Sequence, residues 1–383
     1  MQSTVKKIIA RTFEDIANGL ETGSFGGRPR IAITGLGSEH GEEVVLKGAV
    51  EAANNAEVLY IGTLTHEKVT TVPVTNEDEA HKVMEELLDS GKVDGAVTMH
   101  FPFPIGVSTV GRSITPAFGK NLYIATTTGT SATDRVEGMI KNAIYGIICA
   151  KACGNPNPTL GILNVDGARQ TEIALKELAT NGYPINFGKS LRADGGCVLR
   201  GNDVLTGACD ILVTDSLTGN ILTKMLSSFN TGGSYEAVGS GYGPGIGKGY
   251  DKLVMIVSRA SGAPVVAGAI NYAAQLVKGS YKEVIKNEFD AVEKAGFNEI
   301  LNKYKAKPVA AAQEKPKAPP KEVVTAQISG VEITELDDAV DILWRENIYA
   351  ESGMGCTGPI ILVSDKNLAK AKELLVKSGK VQG

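Results

Sequence analysis

Short apolar strands alternate with amphipathic helices along most of this 383-residue chain, and this alternation is the feature that most restricts its fold. The predicted strands cover residues 30–34, 57–61, 93–99, 122–126, 159–165, 210–214 and 253–257, and the predicted helices cover 42–54, 77–88, 134–151 and 168–181. Such alternation is typical of an α/β fold with a mainly parallel, buried sheet, in which ligands bind beyond the carboxyl ends of the strands. The candidate binding loops therefore follow Thr34, Met99, Thr126, Thr214 and Val257.

The pattern breaks at residues 305–322, which read KAKPVAAAQEKPKAPPKE. This segment holds four of the fifteen prolines and no Gly, Leu, Ile or aromatic residue, so it cannot build a core and is predicted to be a stiff spacer. The pattern then resumes with a helix capped by Thr334, a loop ESGMGCTGP, a strand and a last helix. We predict a two-lobed body over 1–305, a linker over 306–322 and a small α/β module over 323–383.

Composition excludes several classes of protein. The net charge of −4 gives no basic excess for neutralising nucleic acid, and no apolar run approaches the ~18 residues of a membrane span. The first twenty residues predict an amphipathic helix and not a signal peptide. Five scattered cysteines without an export signal indicate reduced thiols and a cytoplasmic location.

The most informative cysteine is Cys356, which lies in the glycine-rich segment ESGMGCTGP. Backbone N–H groups of such a loop can converge on a developing oxyanion or favour the thiolate, the nucleophilic form of cysteine. The alternative is a small buried thiol in a tight turn. No histidine follows His100, so a general base for Cys356 has to come from the body or from a partner.

Two other segments of the body predict an anion site. In DILVTDSLTGNILTK, Asp215 ends a strand, Gly219 and Asn220 open a helix, and Lys224 lies one turn further. In VSRASGA, Ser258 and Arg259 end another strand, and an arginine can bind phosphate or carboxylate with two hydrogen bonds. The alternatives are a capping turn with a solvated lysine and a surface ion pair.

Three more observations complete the list of candidates. His40, in GLGSEHG, and His100, in TMHFPFP, follow predicted strands and are possible acid/base groups, as is Asp215; each could instead be hydrogen-bonded scaffolding. No metal site is predicted, because Cys149 and Cys153 lack a second ligand pair and are expected in the core. The glycine-rich residues 239–249 could be a flexible cover or a bulged sheet edge.

Three segments of the body resemble, in order, blocks of the phosphate acyltransferases of phospholipid synthesis, and more loosely phosphotransacetylases. They are GNPNPTLGILNVDGARQTEIALKEL, ACDILVTDSLTGNILTK and KLVMIVSRASGAPVVAGAINYAAQLV. Together with the linker and the cysteine-bearing module, the whole chain resembles the alpha subunits of component C of glycine/sarcosine/betaine reductase complexes.

That resemblance implies a two-lobed α/β body of the isocitrate-dehydrogenase/phosphotransacetylase type. It implies that component C takes a carboxymethyl selenoether from the selenoprotein component A and releases acetyl phosphate, with Cys356 as the acetyl carrier. The implied phosphate-site residues are Asn220, Lys224, Ser258 and Arg259. Inorganic phosphate is then a substrate, no cofactor is expected, and the partners are the component C beta subunit and component A. Arg259 stands where the lipid enzymes have histidine, and the acidic residue of phosphotransacetylases is not evident in ASGAPVV, so the general base stays open.

Three functions follow as hypotheses. The first is an acetyl-transferring enzyme subunit that works through acetyl-Cys356. The second is a free-standing phosphate acyltransferase that uses carrier-protein or coenzyme A thioesters and does not need the C-terminal module. The third is a non-catalytic assembly subunit. An NAD-dependent dehydrogenase is disfavoured, because no dinucleotide-binding fingerprint follows a strand.

Overall fold

The computed structural model describes residues 27–193, 195–305, 316–332, 335–355 and 358–381, together with six positions before residue 27. The strands of the body are β1 (Arg30–Thr34), β2 (Glu57–Gly62), β3 (Thr70–Pro73), β4 (Gly95–Thr98), β5 (Val107–Ile114), β6 (Asn121–Thr130), β7 (Thr159–Leu163), β8 (Asn186–Phe187), β9 (Val198–Leu199), β10 (Ile211–Val213), β11 (Gly243–Ile246) and β12 (Val254–Ile256). Its helices are α1 (Glu42–Ala52), α2 (Glu77–Asp89), α3 (Arg135–Ala152), α4 (Ala168–Thr180), α5 (Gly201–Thr206), α6 (Ser216–Ser228), α7 (Ala263–Lys278), α8 (Tyr281–Lys294) and α9 (Phe297–Tyr304). The predicted α/β class with a mostly parallel sheet is confirmed.

The body strands form one sheet in the order β3-β2-β1-β4-β12-β11-β5-β6-β10-β7-β8, with β9 also pairing with β7. Strands β3, β2, β1, β4 and β12 are mutually parallel, and so are β6, β10, β7 and β8. Between these halves, β11 is antiparallel to β12 and to β5, and β5 is antiparallel to β6. The two parallel halves therefore run in opposite directions.

Because of this reversal, the candidate loops do not all lie at one edge of the sheet. The loops after β1, β4 and β12 follow strands of one direction, whereas those after β6 and β10 follow strands of the other. Helix α6 spans strands of both directions, because it follows β10 and packs against β6 and against the antiparallel strand β5. Gly219 allows that close approach, since a Cβ there would overlap the carbonyl oxygen of Thr126.

The glycine-rich stretch is neither of the two predicted features. Residues Gly243–Ile246 form β11, a fully buried strand at the centre of the sheet. Its alternate glycines leave room for neighbours: a Cβ at Gly243 would overlap the carbonyl oxygen of Val110, and one at Gly245 would overlap the ring of Phe103. Tertiary packing, not strand propensity, therefore places this segment in the sheet.

The C-terminal module is a small antiparallel sheet with two helices. Its strands are β13 (Ala326–Ser329), β14 (Ala350–Gly355) and β15 (Gly358–Val363), and its helices are α10 (Leu336–Arg345) and α11 (Leu368–Lys377). Both β13 and β14 pair with β15. The module has its own core, which includes Leu343, Ile361 and Leu375. Residues 306–315 of the predicted linker and the predicted cap Thr334 lie outside the described residues.

The predicted glycine-rich loop is mostly strand. Residues 351–355 belong to β14 and residues 358 and 359 to β15, and the two strands pair from Ala350 with Val363 to Gly355 with Gly358. The backbone of the described flanking residues thus pairs as two antiparallel strands and does not form the loop expected there. Cys356 itself lies outside the described residues.

Body and module meet at a buried carboxylate of the module, Glu332, which is 6% exposed. It accepts hydrogen bonds from the backbone N–H groups of Gly167 (3.1 Å) and Arg169 (2.5 Å) at the amino end of α4. That helix has Gly167 at its N-cap and no side-chain cap of its own, so Glu332 takes the place of a capping residue. None of the described helices is long and apolar enough to cross a membrane.

Candidate active site

Lys224 and Ser258, both predicted from the sequence, are neighbours in the structure. Lys224 projects from the middle of α6, and its Nζ lies 3.4 Å from Oγ of Ser258, just after β12. The lysine side chain is half exposed, and its ammonium group stands 5.4 Å from the centre of the Tyr242 ring. A solvent-accessible cation beside a hydroxyl group is a suitable place for an oxyanion.

A buried carboxylate, Glu236, lies behind this pair and is missing from the sequence predictions. It is 3% exposed and 3.6 Å from the Nζ of Lys224. The hydroxyl groups of Tyr242 and Ser261 donate hydrogen bonds to its two oxygens, at 2.7 and 2.9 Å. Burial and the adjacent Glu236 raise the pKa of Tyr242, so the phenol stays protonated and donates.

One sequence signal could have pointed to Glu236. It is the single charged residue between Lys224 and Lys248, in a stretch of Gly, Ser, Tyr and Thr residues. A lone charge in an uncharged segment that ends in a buried strand has to find partners on folding.

The loop after β12 is held by hydrogen bonds within it and to the Glu236 segment. Within the loop, the N–H of Ser258 donates to Oγ of Ser261 (3.0 Å), and the N–H of Ala260 donates to Oγ of Ser258 (3.1 Å). Between the segments, Glu236 donates its N–H to the carbonyl of Ala260 (3.0 Å), and its carbonyl accepts from the N–H of Gly262 (2.8 Å). The loop and Glu236 therefore form one unit.

The side chain of Arg259 forms hydrogen bonds with the loop after β1 and with the first residue of α2. Its guanidinium group donates to both carboxylate oxygens of Glu77 (2.8 and 3.4 Å) and to the carbonyl of Gly37 (2.7 Å). The pair is almost half exposed, and the hydrogen bond from Arg259 lowers the pKa of Glu77. To bind phosphate, Arg259 has to exchange this carboxylate for the substrate, and its predicted role stays a prediction.

Asn220 and Asp215 fix helix α6. The helix begins at Ser216, earlier than predicted, with Asp215 as N-cap accepting from the N–H and hydroxyl groups of Thr218 (3.0 and 2.7 Å). Asn220 donates its side-chain amide to the carbonyl of Thr127 in β6 (3.1 Å). Both side chains thus have positions that a scaffold role explains, and their predicted phosphate and acid/base roles stay predictions.

The two candidate histidines are exposed. The ring of His40 makes an edge contact with the ring of Tyr235, the residue before Glu236, at 6.1 Å between centroids. His100 follows β4, and its carbonyl accepts a hydrogen bond from the hydroxyl of Thr98 (3.3 Å). Of the two, His40 is the one that the structure connects to the Lys224 region. No cluster of three or more potential metal ligands occurs among the described residues.

The four described cysteines are poor nucleophiles. Cys149 and Cys153 lie on α3 and at its end, as predicted, and pack in or against the core. Burial raises the pKa of Cys149 and Cys153, and it raises the pKa values of Cys197 and Cys209 to about 12. All four are therefore protonated at neutral pH.

Comparisons with known proteins identify relatives of this chain. The model of a family described as "Fatty acid synthesis protein" matches residues 29–362. The chain is 56% identical, over 98% of its length and 99% of the relative's, to the glycine/sarcosine/betaine reductase complex component C subunit alpha of Peptoclostridium acidaminophilum. It is 25% identical over 236 residues to the phosphate acyltransferase of Thermotoga maritima, covering 51% of this chain and 68% of that one.

Among solved structures, a branched-chain phosphotransacylase from Enterococcus faecalis aligns with 65% of this chain and 99% of its own, at 18% identity and a TM-score of 0.45. The family model and the 56% identical relative of nearly equal length together show to which family this chain belongs. The chain belongs to the fatty acid synthesis protein family and, within it, to the family of component C alpha subunits of glycine/sarcosine/betaine reductase complexes.

Proposed function

We propose that this chain is the acetyl-transferring subunit of a glycine reductase complex. It forms acetyl phosphate from a carboxymethyl-selenoprotein intermediate. The carbon–selenium bond of that intermediate is cleaved reductively: a second thiol of the complex and the selenium are oxidised together to a selenenyl sulfide, hydroxide is lost from the carboxyl group, and the acetyl group forms a thioester with Cys356. Phosphorolysis of that thioester then gives acetyl phosphate. The name of the 56% identical relative and the phosphate acyltransferases related to the body support this reaction class. The observation that carries the proposal is the half-exposed ammonium group of Lys224 beside the hydroxyl of Ser258.

Phosphorolysis requires a cation that orients phosphate and withdraws charge from it. An oxygen of inorganic phosphate attacks the acetyl carbonyl carbon, the carbon–sulfur bond breaks, and the thiolate of Cys356 leaves with the bonding electrons. Lys224 and Ser258 bind the attacking phosphate, and Arg259 adds two donors if it releases Glu77. The thiolate then takes up a proton or reacts with the next acetyl donor.

Cys356 is the cysteine on which this scheme depends. Each of the other four has a raised pKa and a packed environment, which makes it a slow nucleophile. A cysteine in the module, connected by a proline-rich spacer, can reach both a partner's selenoether and the body's phosphate site.

The remaining parts of the proposal concern partners and location. The partners are the component C beta subunit and the selenoprotein component A, and the complex acts in the cytoplasm. Inorganic phosphate is a substrate, and neither a cofactor nor a metal is required. His40, His100 and Asp215 are the candidates for acid/base work, with His40 favoured by its contact with Tyr235.

Isotope exchange tests the proposal without the partner proteins. The full chain is incubated with acetyl phosphate and radioactive inorganic phosphate, and label in acetyl phosphate is measured. Reversible acetylation of Cys356 predicts rapid exchange that is lost in Cys356→Ala and kept in Cys153→Ala. Exchange that survives in Cys356→Ala and requires coenzyme A would instead indicate a free-standing acyltransferase, and no exchange by the wild-type chain would indicate an assembly role.

A further inference from the structure

We propose that Glu236 is a positioning residue that aims Lys224 and the Ser258 loop at the phosphate substrate. The inference rests on the proposed function, because it assumes that phosphate binds beside Lys224. The family comparison does not single out this carboxylate; the proposal comes from its contacts.

Both oxygens of Glu236 already have donors. One accepts from the phenol of Tyr242 (2.7 Å) and faces the ammonium group of Lys224 (3.6 Å), and the other accepts from the hydroxyl of Ser261 (2.9 Å). A carboxylate so deeply buried is stable only when such donors replace water. Because its lone pairs are used in this way, Glu236 is suited to holding other groups in place and not to taking a proton from the substrate.

Glu236 reaches the two halves of the candidate phosphate site by separate routes. It contacts Lys224 of α6 directly. It reaches Ser258 through Ser261, whose hydroxyl donates to Glu236 and accepts from the N–H of Ser258 (3.0 Å). Displacement of this one carboxylate would therefore disturb the cation and the loop together.

Lys224 needs such a restraint. A lysine side chain has four rotatable bonds and three donors, and a half-exposed one loses conformational entropy when it binds a ligand. Here one donor bonds to Ser258 and the ammonium group lies over the Tyr242 ring with Glu236 behind it, which leaves a donor for a phosphate oxygen. The site is thus partly organised before phosphate arrives.

The negative charge of Glu236 is expected to affect phosphate binding and the chemical step in different ways, so the two roles can be measured separately. A carboxylate 3.6 Å from Lys224 opposes the approach of a phosphate dianion, so removal of its charge does not weaken phosphate binding. Removal does release the lysine from its preferred direction, which slows the chemical step. Glu236→Gln is therefore expected to lower kcat about tenfold or more while the Kd for phosphate stays unchanged or falls.

The chain provides a matched control in Glu288. This partly buried glutamate also accepts from a tyrosine, Tyr183 (2.6 Å), and pairs with a lysine, Lys151 (2.7 Å), but in segments that carry none of the candidate residues. Glu288→Gln removes the same kind of charge and is expected to leave exchange kinetics unchanged.

The experiment measures inorganic phosphate binding by calorimetry and phosphate–acetyl phosphate exchange for the full chain. The variants are Glu236→Gln, Glu236→Asp, Lys224→Met, the double variant Glu236→Gln/Lys224→Met, and Glu288→Gln, each checked for folding by circular dichroism. If Glu236 acts largely through Lys224, Glu236→Gln lowers kcat much less in the Lys224→Met background than in the wild type, and Glu236→Asp keeps intermediate activity.

Two results would overturn the inference. Equal losses in Glu236→Gln and Glu288→Gln, or effects of Glu236 and Lys224 that multiply, would show a purely structural role for Glu236 while exchange by the wild type still supported the proposed function. A wild-type chain that neither binds phosphate nor exchanges label would reject the proposed function and, with it, this inference.

Discussion

Two buried carboxylates, Glu236 in the body and Glu332 in the module, are bound in different ways. Glu236 is surrounded by side-chain donors and a cation, whereas the donors to Glu332 among the described residues are two backbone N–H groups at the amino end of α4. Burial raises the pKa of Glu332, and the nearby charges of Asp166 and Glu335 raise it further, against the lowering effect of its hydrogen bonds. The body site is therefore fixed by several side-chain partners of Glu236, while the contact of Glu332 with the body includes a buried carboxylate whose pKa stays raised.

The comparison suggests a division of work. In the proposed function the body orients a small anion, and the partners of Glu236 give that site rigid support. In the same proposal the module brings one thiol to two places, which requires the hydrogen bonds of Glu332 to open. The predictions below test first the fixed site and then the weaker contacts.

The largest effect is expected at the fixed site, in Lys224→Met. Loss of the ammonium group removes the cation that faces phosphate, and kcat/KM for phosphate is expected to fall about 100-fold. Steady-state exchange at varied phosphate concentration measures it. Lys303→Met, which removes an exposed lysine paired with Glu177, is the control and should match the wild type. A change of less than a few-fold in Lys224→Met would remove the body site from the reaction.

Shortening the spacer tests the mobility of the module. Deletion of about half of residues 306–322 is expected to slow turnover several-fold without preventing a single acetylation of Cys356, because reach is lost before reactivity. Turnover with the partner proteins and the stoichiometry of one acetylation are the two readouts. Unchanged turnover would count against a module that moves between two sites.

The contact of Glu332 is expected to be weaker and to depend on pH. Glu332→Ala removes two hydrogen bonds that together contribute roughly 1–3 kcal/mol, so the amide protons of Gly167 and Arg169 should exchange about tenfold faster with deuterium. Glu373→Ala, which removes an exposed carboxylate of α11, is the control and should leave both rates unchanged.

The sign of the pH effect follows from the raised pKa of Glu332. Above pH 4.5, the ordinary pKa of a glutamate, Glu332 binds more protons when the contact is closed than when it is open. The contact is therefore strongest at the acid end of the pH range between 4.5 and the raised pKa. Protection of Gly167 and Arg169, corrected for intrinsic exchange, should therefore fall as the pH rises through the raised pKa. Protection that increases with pH would contradict this account.

The smallest effect is expected from Glu77→Gln. Loss of this exposed ion pair leaves Arg259 free to turn toward phosphate, and because such pairs contribute at most about 1 kcal/mol, the KM for phosphate should fall by about threefold. A KM that stays constant in Glu77→Gln and in Arg259→Lys would indicate that Arg259 only joins the loop after β12 to the loop after β1.

Sequence patterns predicted the parts of the fold in which local pattern and burial agree. The strand predicted at residues 30–34 is β1, and the helix predicted at 134–151 is α3 within one residue at each end. The central strand β11 was not predicted, because glycine has a low strand propensity. The close packing of its glycines against Phe103 and β5 is a tertiary contact that the sequence pattern does not report. Residues 351–355 of β14 and the first two residues of β15 were interpreted as a loop for the same reason, whereas the strand predicted at 360–363 is the rest of β15.

For the site, the sequence predicted the positively charged and hydroxyl groups and missed the acidic one. Lys224 lies in a helix that follows a predicted strand, and Ser258 directly follows another, so both could be predicted from the sequence pattern. Glu236 belongs to an irregular segment whose position is set by hydrogen bonds to the Ser258 loop, and no periodicity reports such contacts. The pairing of Arg259 with Glu77 could not be predicted either, because the two residues are far apart in the sequence.

Peptide mass spectrometry after incubation with acetyl phosphate tests the central claim most directly. The account predicts one acetyl group on Cys356 of the full chain, released again by inorganic phosphate, and no adduct in Cys356→Ala. Acetyl groups found only on other residues, or an adduct on Cys356 that inorganic phosphate does not release, would contradict it.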